Sequence, residues 1–79
     1  MLADALEHLV RGIVDNPDDV AVKNREHRRG VTLKVRVNPS DMGRVIGRAG
    51  RTATALRTVV SALAGRDNVR VDFVDTASR

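Results

Sequence analysis

Apolar residues recur along this chain with two periods, and the alternation between them lays out the fold. Leu2, Leu6, Leu9 and Ile13 stand at helical spacing, with Ala5 and Val10 widening the stripe, which predicts an amphipathic helix over residues 2–14. Asp15-Asn16-Pro17-Asp18 ends it, because Pro17 forces Asn16 out of helical geometry. Val20 and Val22 then predict a short strand at about 19–25. Val31, Leu33, Val35 and Val37 alternate with Thr32, Lys34 and Arg36, the clearest strand pattern in the chain.

Asn38-Pro39-Ser40-Asp41 reads as a helix start. Asn38 can cap, Pro39 suits the first helical position, and Asp41 is placed to return a hydrogen bond to the cap. The helix is short, about 39–46, with Met42, Val45 and Ile46 as its apolar face and Gly47 as its exit. Ala53, Leu56, Val60 and Leu63 predict a longer helix over 51–64, stopped by Gly65. Val69, Val71 and Phe73 predict a last strand, and the end of the chain, 76–79, reads as a frayed tail. The order is helix, strand, strand, helix, helix, strand: an α+β domain over 1–75, its three-stranded sheet covered by helices.

Between the last two helices lies Val45-Ile46-Gly47-Arg48-Ala49-Gly50-Arg51-Thr52. Glycines three apart let the backbone turn tightly and approach another backbone closely. Arg48 and Arg51 add positive charge there, and the following helix turns its unpaired N–H groups and positive dipole end toward the loop. Those features together describe a phosphodiester clamp.

Composition narrows the classes. Seventy-nine residues allow one domain with a small core, for which dimerisation would help. Phe73 is the single aromatic residue, which argues against modules that stack bases on aromatic platforms. The net charge of +4 leans toward polyanions. The absence of cysteine excludes disulfides, thiolate zinc sites and cysteine nucleophiles. No signal peptide is recognisable, and no apolar stretch approaches the length of a membrane span, so a cytoplasmic location is expected. Asp4 and His8, one helical turn apart, supply too few ligands for a metal, and no metal or cofactor is expected. Gly50-Arg51-Thr52 lacks the lysine and spacing of a nucleotide-hydrolysing P-loop, and Gly43, Gly47 and Gly50 do not follow a strand as a dinucleotide fold requires. With no triad or paired carboxylates in view, an enzyme is not expected.

Lys23-Asn24-Arg25-Glu26-His27-Arg28-Arg29-Gly30, between the first two strands, holds five cationic or potentially cationic residues in eight. A hairpin turn needs polarity and glycine, but not this much charge.

The run Asn38 to Ala53, followed by Ala55-Leu56-Arg57-Thr58-Val59-Val60, resembles a KH domain of the type II arrangement. More closely it is similar to the small stand-alone bacterial KH proteins of the KhpA (YlqC) family, over nearly the whole chain. The resemblance implies a single-stranded RNA-binding module without catalysis, acting as a small RNA chaperone or post-transcriptional regulator. In it Gly47, Arg48, Ala49 and Gly50 would hold the sugar-phosphate backbone. Arg44, Val45, Ile46 and Arg51 would flank them, and the basic hairpin with Arg25, Arg28 and Arg29 would close a groove opposite the loop. The family also implies self-association, or pairing with a larger Jag-like KH protein. Ala55, Val59 and Ala62, a second apolar stripe on the long helix, are the candidate contact. A protein-interaction module with incidental RNA contact is the rival reading, and single-stranded DNA a further alternative ligand.

Overall fold

The computed structural model describes residues 2–65 and 68–76. The elements follow the predicted order: α1 (Leu2–Arg11), β1 (Ala21–His27), β2 (Gly30–Val37), α2 (Met42–Ile46), α3 (Arg51–Ala64) and β3 (Val69–Asp75). Single 3-10 turns at Pro17–Asp19, Pro39–Asp41 and Arg48–Gly50 join them. β2 is the central strand, antiparallel to β1 and parallel to β3. The parallel pairing is possible because α2 and α3 form the crossover that returns the chain to the start of the sheet. One sheet face is packed on the helices, with α1 against β1 and α3 against β3.

The core is aliphatic. Leu6 and Val10 of α1, Leu33, Val35 and Val37 of β2, Val45 of α2 and Val60 of α3 are all buried. Each such side chain contributes about 1.5–3 kcal/mol relative to an exposed position. In α1 the seam is Leu6 and Val10; Leu9, placed in the stripe by its spacing, is part-exposed on the helix flank. The helix ends at Arg11, three residues earlier than its periodicity suggests. Ile13 and Val14 still pack into the core from the turn that follows, through N–H groups donated to the Val10 carbonyl.

Asp41 is the buried charged residue of the described chain, at 1% exposure. It does not close a capping box on Asn38, as its spacing suggests. Its carboxylate accepts from the backbone N–H groups of Asp15 (3.2 Å) and Asn16 (3.0 Å) and from the Asn16 side-chain amide (3.1 Å). Burial pushes the carboxyl up, but these three donors and the nearby Arg44 charge outweigh it and hold the group below its ordinary value. The carboxylate thus fastens the α1–β1 connection to the start of α2. Asn38 does cap its turn, accepting from the Ser40 N–H at 2.9 Å.

The hairpin differs most from expectation. Only Arg28 and Arg29 lie outside the strands; β1 runs to His27, and Arg25 is a ladder residue opposite Thr32. Its end is fixed from the side, since Asn68 donates through its amide to the Arg29 carbonyl (3.0 Å) and accepts the Val31 N–H (2.8 Å). At the other end of the sheet, Asp75 belongs to β3 and the Thr76 N–H donates to the Val37 carbonyl at 2.8 Å, so neither is frayed; residues 77–79 of the expected tail lie outside the described residues.

Candidate nucleic-acid interface

The loop between α2 and α3 is shaped by three departures from ordinary backbone. Gly47 has φ 75° and ψ 174°, Ala49 φ 55° and ψ 26°, and Gly50 φ 74° and ψ 14°. Of these, the Gly47 conformation is closed to side chains, and space closes it further. A Cβ there would overlap the Thr52 hydroxyl and stand 2.8 Å from the Thr52 Cβ and backbone nitrogen. Gly50 lies in the ordinary left-handed region, and a Cβ would meet nothing within 4 Å. The two glycines therefore carry different constraints. Gly47→Ala is expected to cost about 2–4 kcal/mol, from backbone strain and overlap together, and Gly50→Ala about 1 kcal/mol. Thermal denaturation of the two variants should separate them by roughly 10 °C; equal melting temperatures would contradict the Thr52 contact.

The turn leaves donors free. Gly47 N–H is bonded to the Gly43 carbonyl (2.9 Å), Gly50 N–H to the Gly47 carbonyl (3.2 Å), and Arg51 N–H to the Arg48 carbonyl. The amides of Arg48 and Ala49 at its tip have no acceptor among the described residues. The side chains of Arg48 and Arg51 are exposed and form no ion pair among the described residues. Free amides, two guanidinium groups and the N-terminal end of a fourteen-residue helix thus meet at one exposed point.

The other expected site residues divide. Arg44 is beside the loop but paired with Asp15 at 3.1 Å, in an exposed pair of little strength. Ile46 is part-buried. Val45, expected at the site, is fully buried in the core and is a packing residue. Arg25, Arg28 and Arg29 stand toward the other end of α3 from the loop. α3 begins at the loop, and its far end leads through Asn68 to the hairpin. Fourteen residues at 1.5 Å each put about 20 Å between loop and hairpin. The channel that does adjoin the loop's helix runs between α3 and the edge strand β3, with a volume of about 420 Å³. Arg57, absent from the site expected from sequence, lines it. Its Nε donates to the Val71 carbonyl (3.2 Å) and its guanidinium lies 5.4 Å from the centre of the Phe73 ring. Nothing local in the sequence ties Arg57 to Phe73, sixteen positions on.

Ala55, Val59 and Ala62 are all exposed on the outer side of α3, with Val59 at 42%. Leu63, expected in the core stripe, is 61% exposed and joins them; the core seam of the helix is Ala53, Leu56 and Val60 alone.

A family model described as KhpA/KhpB, KH domain matches residues 3–74. The chain belongs to this KH-domain family. Among relatives in it, RNA-binding protein KhpA of Streptomyces coelicolor is 69% identical over 75 residues, covering 95% of this chain and 94% of the relative. The protein of the same name from Mycobacterium tuberculosis is 63% identical over 76 residues, covering 96% and 94%. That of Halalkalibacterium halodurans is 44% identical over 72 residues, covering 89% and 95%. No solved structure matches the chain. The KH fold accounts for the arrangement observed here: α2, the glycine-bracketed loop and α3 are the part of the domain that the sequence pattern already set apart. Among the described residues, no helix is long and apolar enough to cross a membrane.

Proposed function

We propose that this KH protein binds single-stranded RNA, holding the sugar-phosphate backbone at the Gly47–Gly50 loop and acting by retention of RNA, as a small chaperone or post-transcriptional regulator. The observation that carries the reading is the exposed tip of the loop, where the free amides of Arg48 and Ala49 stand beside the unpaired Arg48 and Arg51 guanidinium groups. Amide donors suit phosphate oxygens, the glycines allow backbone-to-backbone approach, and Arg adds a planar fork for the same oxygens. The name of the relatives, RNA-binding protein, agrees with this reading. Bases leaving the loop would run along the α3–β3 channel, past Arg57 and toward the hairpin end of the sheet. The test is amide chemical-shift mapping with a short single-stranded oligonucleotide. The largest shifts are expected at residues 47–51, with smaller ones along α3 and β3. Shifts confined to the hairpin or to the outer side of α3 would overturn the assignment.

A second reading concerns assembly. The exposed stripe of Ala55, Val59, Ala62 and Leu63 supports self-association through α3, alongside RNA binding and on a different side of the helix from the core seam.

A further inference from the structure

The sheet has a face that no helix covers, and its charge is overwhelmingly of one sign. Strand register assigns Ala21, Lys23, Arg25 and His27 of β1, Thr32, Lys34 and Arg36 of β2, and Arg70, Asp72 and Val74 of β3 to this face. Arg70 and Asp72 pair with each other at 3.0 Å. Lys23, Arg25, Lys34 and Arg36 form no ion pair among the described residues, although Asp72 stands opposite Lys34 in the ladder. These four line a shallow trough of about 490 Å³ together with Thr32 and Asp72.

Two ordinary explanations fall short. A solvated sheet face must be polar, but polarity is as well served by both signs or by neutral residues. Here Lys23 stands directly opposite Lys34, an arrangement of like charges that destabilises a strand pair. Lysines also protect sheet edges from pairing with other chains. That accounts for Lys23 on β1, but not for Lys34 and Arg36, which are on the central strand and guard no edge.

We propose that this face is a second RNA contact, a phosphate track for strand that extends beyond the loop's footprint. The proposal rests on the RNA-binding reading for the identity of the polyanion. Lys34 and Arg36 are two residues apart on one strand, about 6.7 Å, and Lys23 and Arg25 repeat that spacing beside them. A regular double row of cations fits a ligand with charge repeated along its length. The face carries no Phe, Tyr or Trp, and its His27 ring is held against the Thr32 hydroxyl at 3.0 Å, so the lysines and arginines contact phosphates and their contribution is independent of base sequence. Position supports continuity with the loop. Arg36 is next to the end of β2, from which the chain passes into α2 and the loop, while Arg25 leads to the Arg28–Arg29 turn at the opposite end. The track thus joins the loop's end of the molecule to the basic turn.

The experiment compares the full chain with Lys34→Gln plus Arg36→Gln, and with Lys23→Gln alone, on a hexanucleotide and a thirty-nucleotide single strand across a salt series. Hexanucleotide affinity should be unchanged, which also verifies folding. On the long strand, the slope of log affinity against log salt should fall by roughly 1.4 for the double variant and roughly 0.7 for the single one, because each phosphate no longer neutralised removes about 0.7. Wild-type slope and affinity on the long strand would overturn the proposal. Charge reversal at the loop tip provides the separate control. If it leaves hexanucleotide binding intact, the loop reading fails, and the long-strand slopes still decide the sheet face.

Discussion

Replacing Arg48 and Ala49 together by aspartate is expected to weaken binding of a short single-stranded RNA on the order of 100-fold while leaving the domain folded. Both residues are exposed, and neither side chain has a partner among the described residues, so no packing is lost. Ala49 already has φ 55° and ψ 26°, a region that aspartate tolerates better than most residues. Two carboxylates near the first turn of α3 also suit the positive end of its dipole, so the melting temperature should hold or rise slightly. Stability and binding therefore move independently, which Gly47 does not permit: a side chain at residue 47 strains the backbone and overlaps Thr52, so lost binding there would be confounded with lost folding. The mechanism is direct. The carboxylates would occupy the point where the free amides meet phosphate, and repel it. Fluorescence anisotropy with a hexanucleotide, alongside circular dichroism, is the measurement. A folded variant with wild-type affinity would remove the loop from the binding site.

The same residues explain what the sequence can and cannot disclose. The bounds of α3 are legible because a glycine stands at each end and Ala53, Leu56 and Val60 hold the period between them. Leu63 fits that period equally well, yet it is exposed, because periodicity gives the direction of a side chain and not where the neighbouring element stops. Residues 24–27 read as part of a loop because they are polar. They form a ladder nonetheless, since strand pairing is made by backbone groups and a hairpin that projects past the helices needs no apolar face. Asp41 has the spacing of a local cap; its real partners are 25 and 26 positions away, and a buried carboxylate takes whichever donors burial leaves it. The loop itself is legible because its function, as proposed, depends on local backbone freedom and charge. Its relation to the hairpin is not, because chain order does not say which end of a sheet a loop occupies.

The outer face of α3 leads to the other large expected effect: the wild-type chain is a dimer at tens of micromolar, and Val59→Arg makes it a monomer. A deeply buried helix would have explained the second apolar stripe without a partner, but Ala55, Val59, Ala62 and Leu63 are exposed. Their spacing suits a second copy of the same helix. Val59 has Ala55 one turn before it and Ala62 one turn after it. Antiparallel packing about a twofold axis near Val59 then sets each copy's Ala55 against the other's Ala62, with Val59 against Val59. Small residues on both sides of the crossing let the helices approach closely, and Leu63 covers the end of the contact. Each larger side chain buried gains about 1.5–3 kcal/mol, and two copies contribute two each. The cost of association, about 4–15 kcal/mol, offsets much of that gain, so the dimer should be weak. An arginine at residue 59 would bring two guanidinium groups together at the axis with no carboxylate on the stripe to pair them, weakening association by roughly 100-fold. It leaves the core seam untouched, and hexanucleotide binding at the loop should survive. Light scattering coupled to gel filtration distinguishes the outcomes: a monomeric wild type at these concentrations would refute self-association through α3, and a dimeric Val59→Arg variant would place the interface elsewhere.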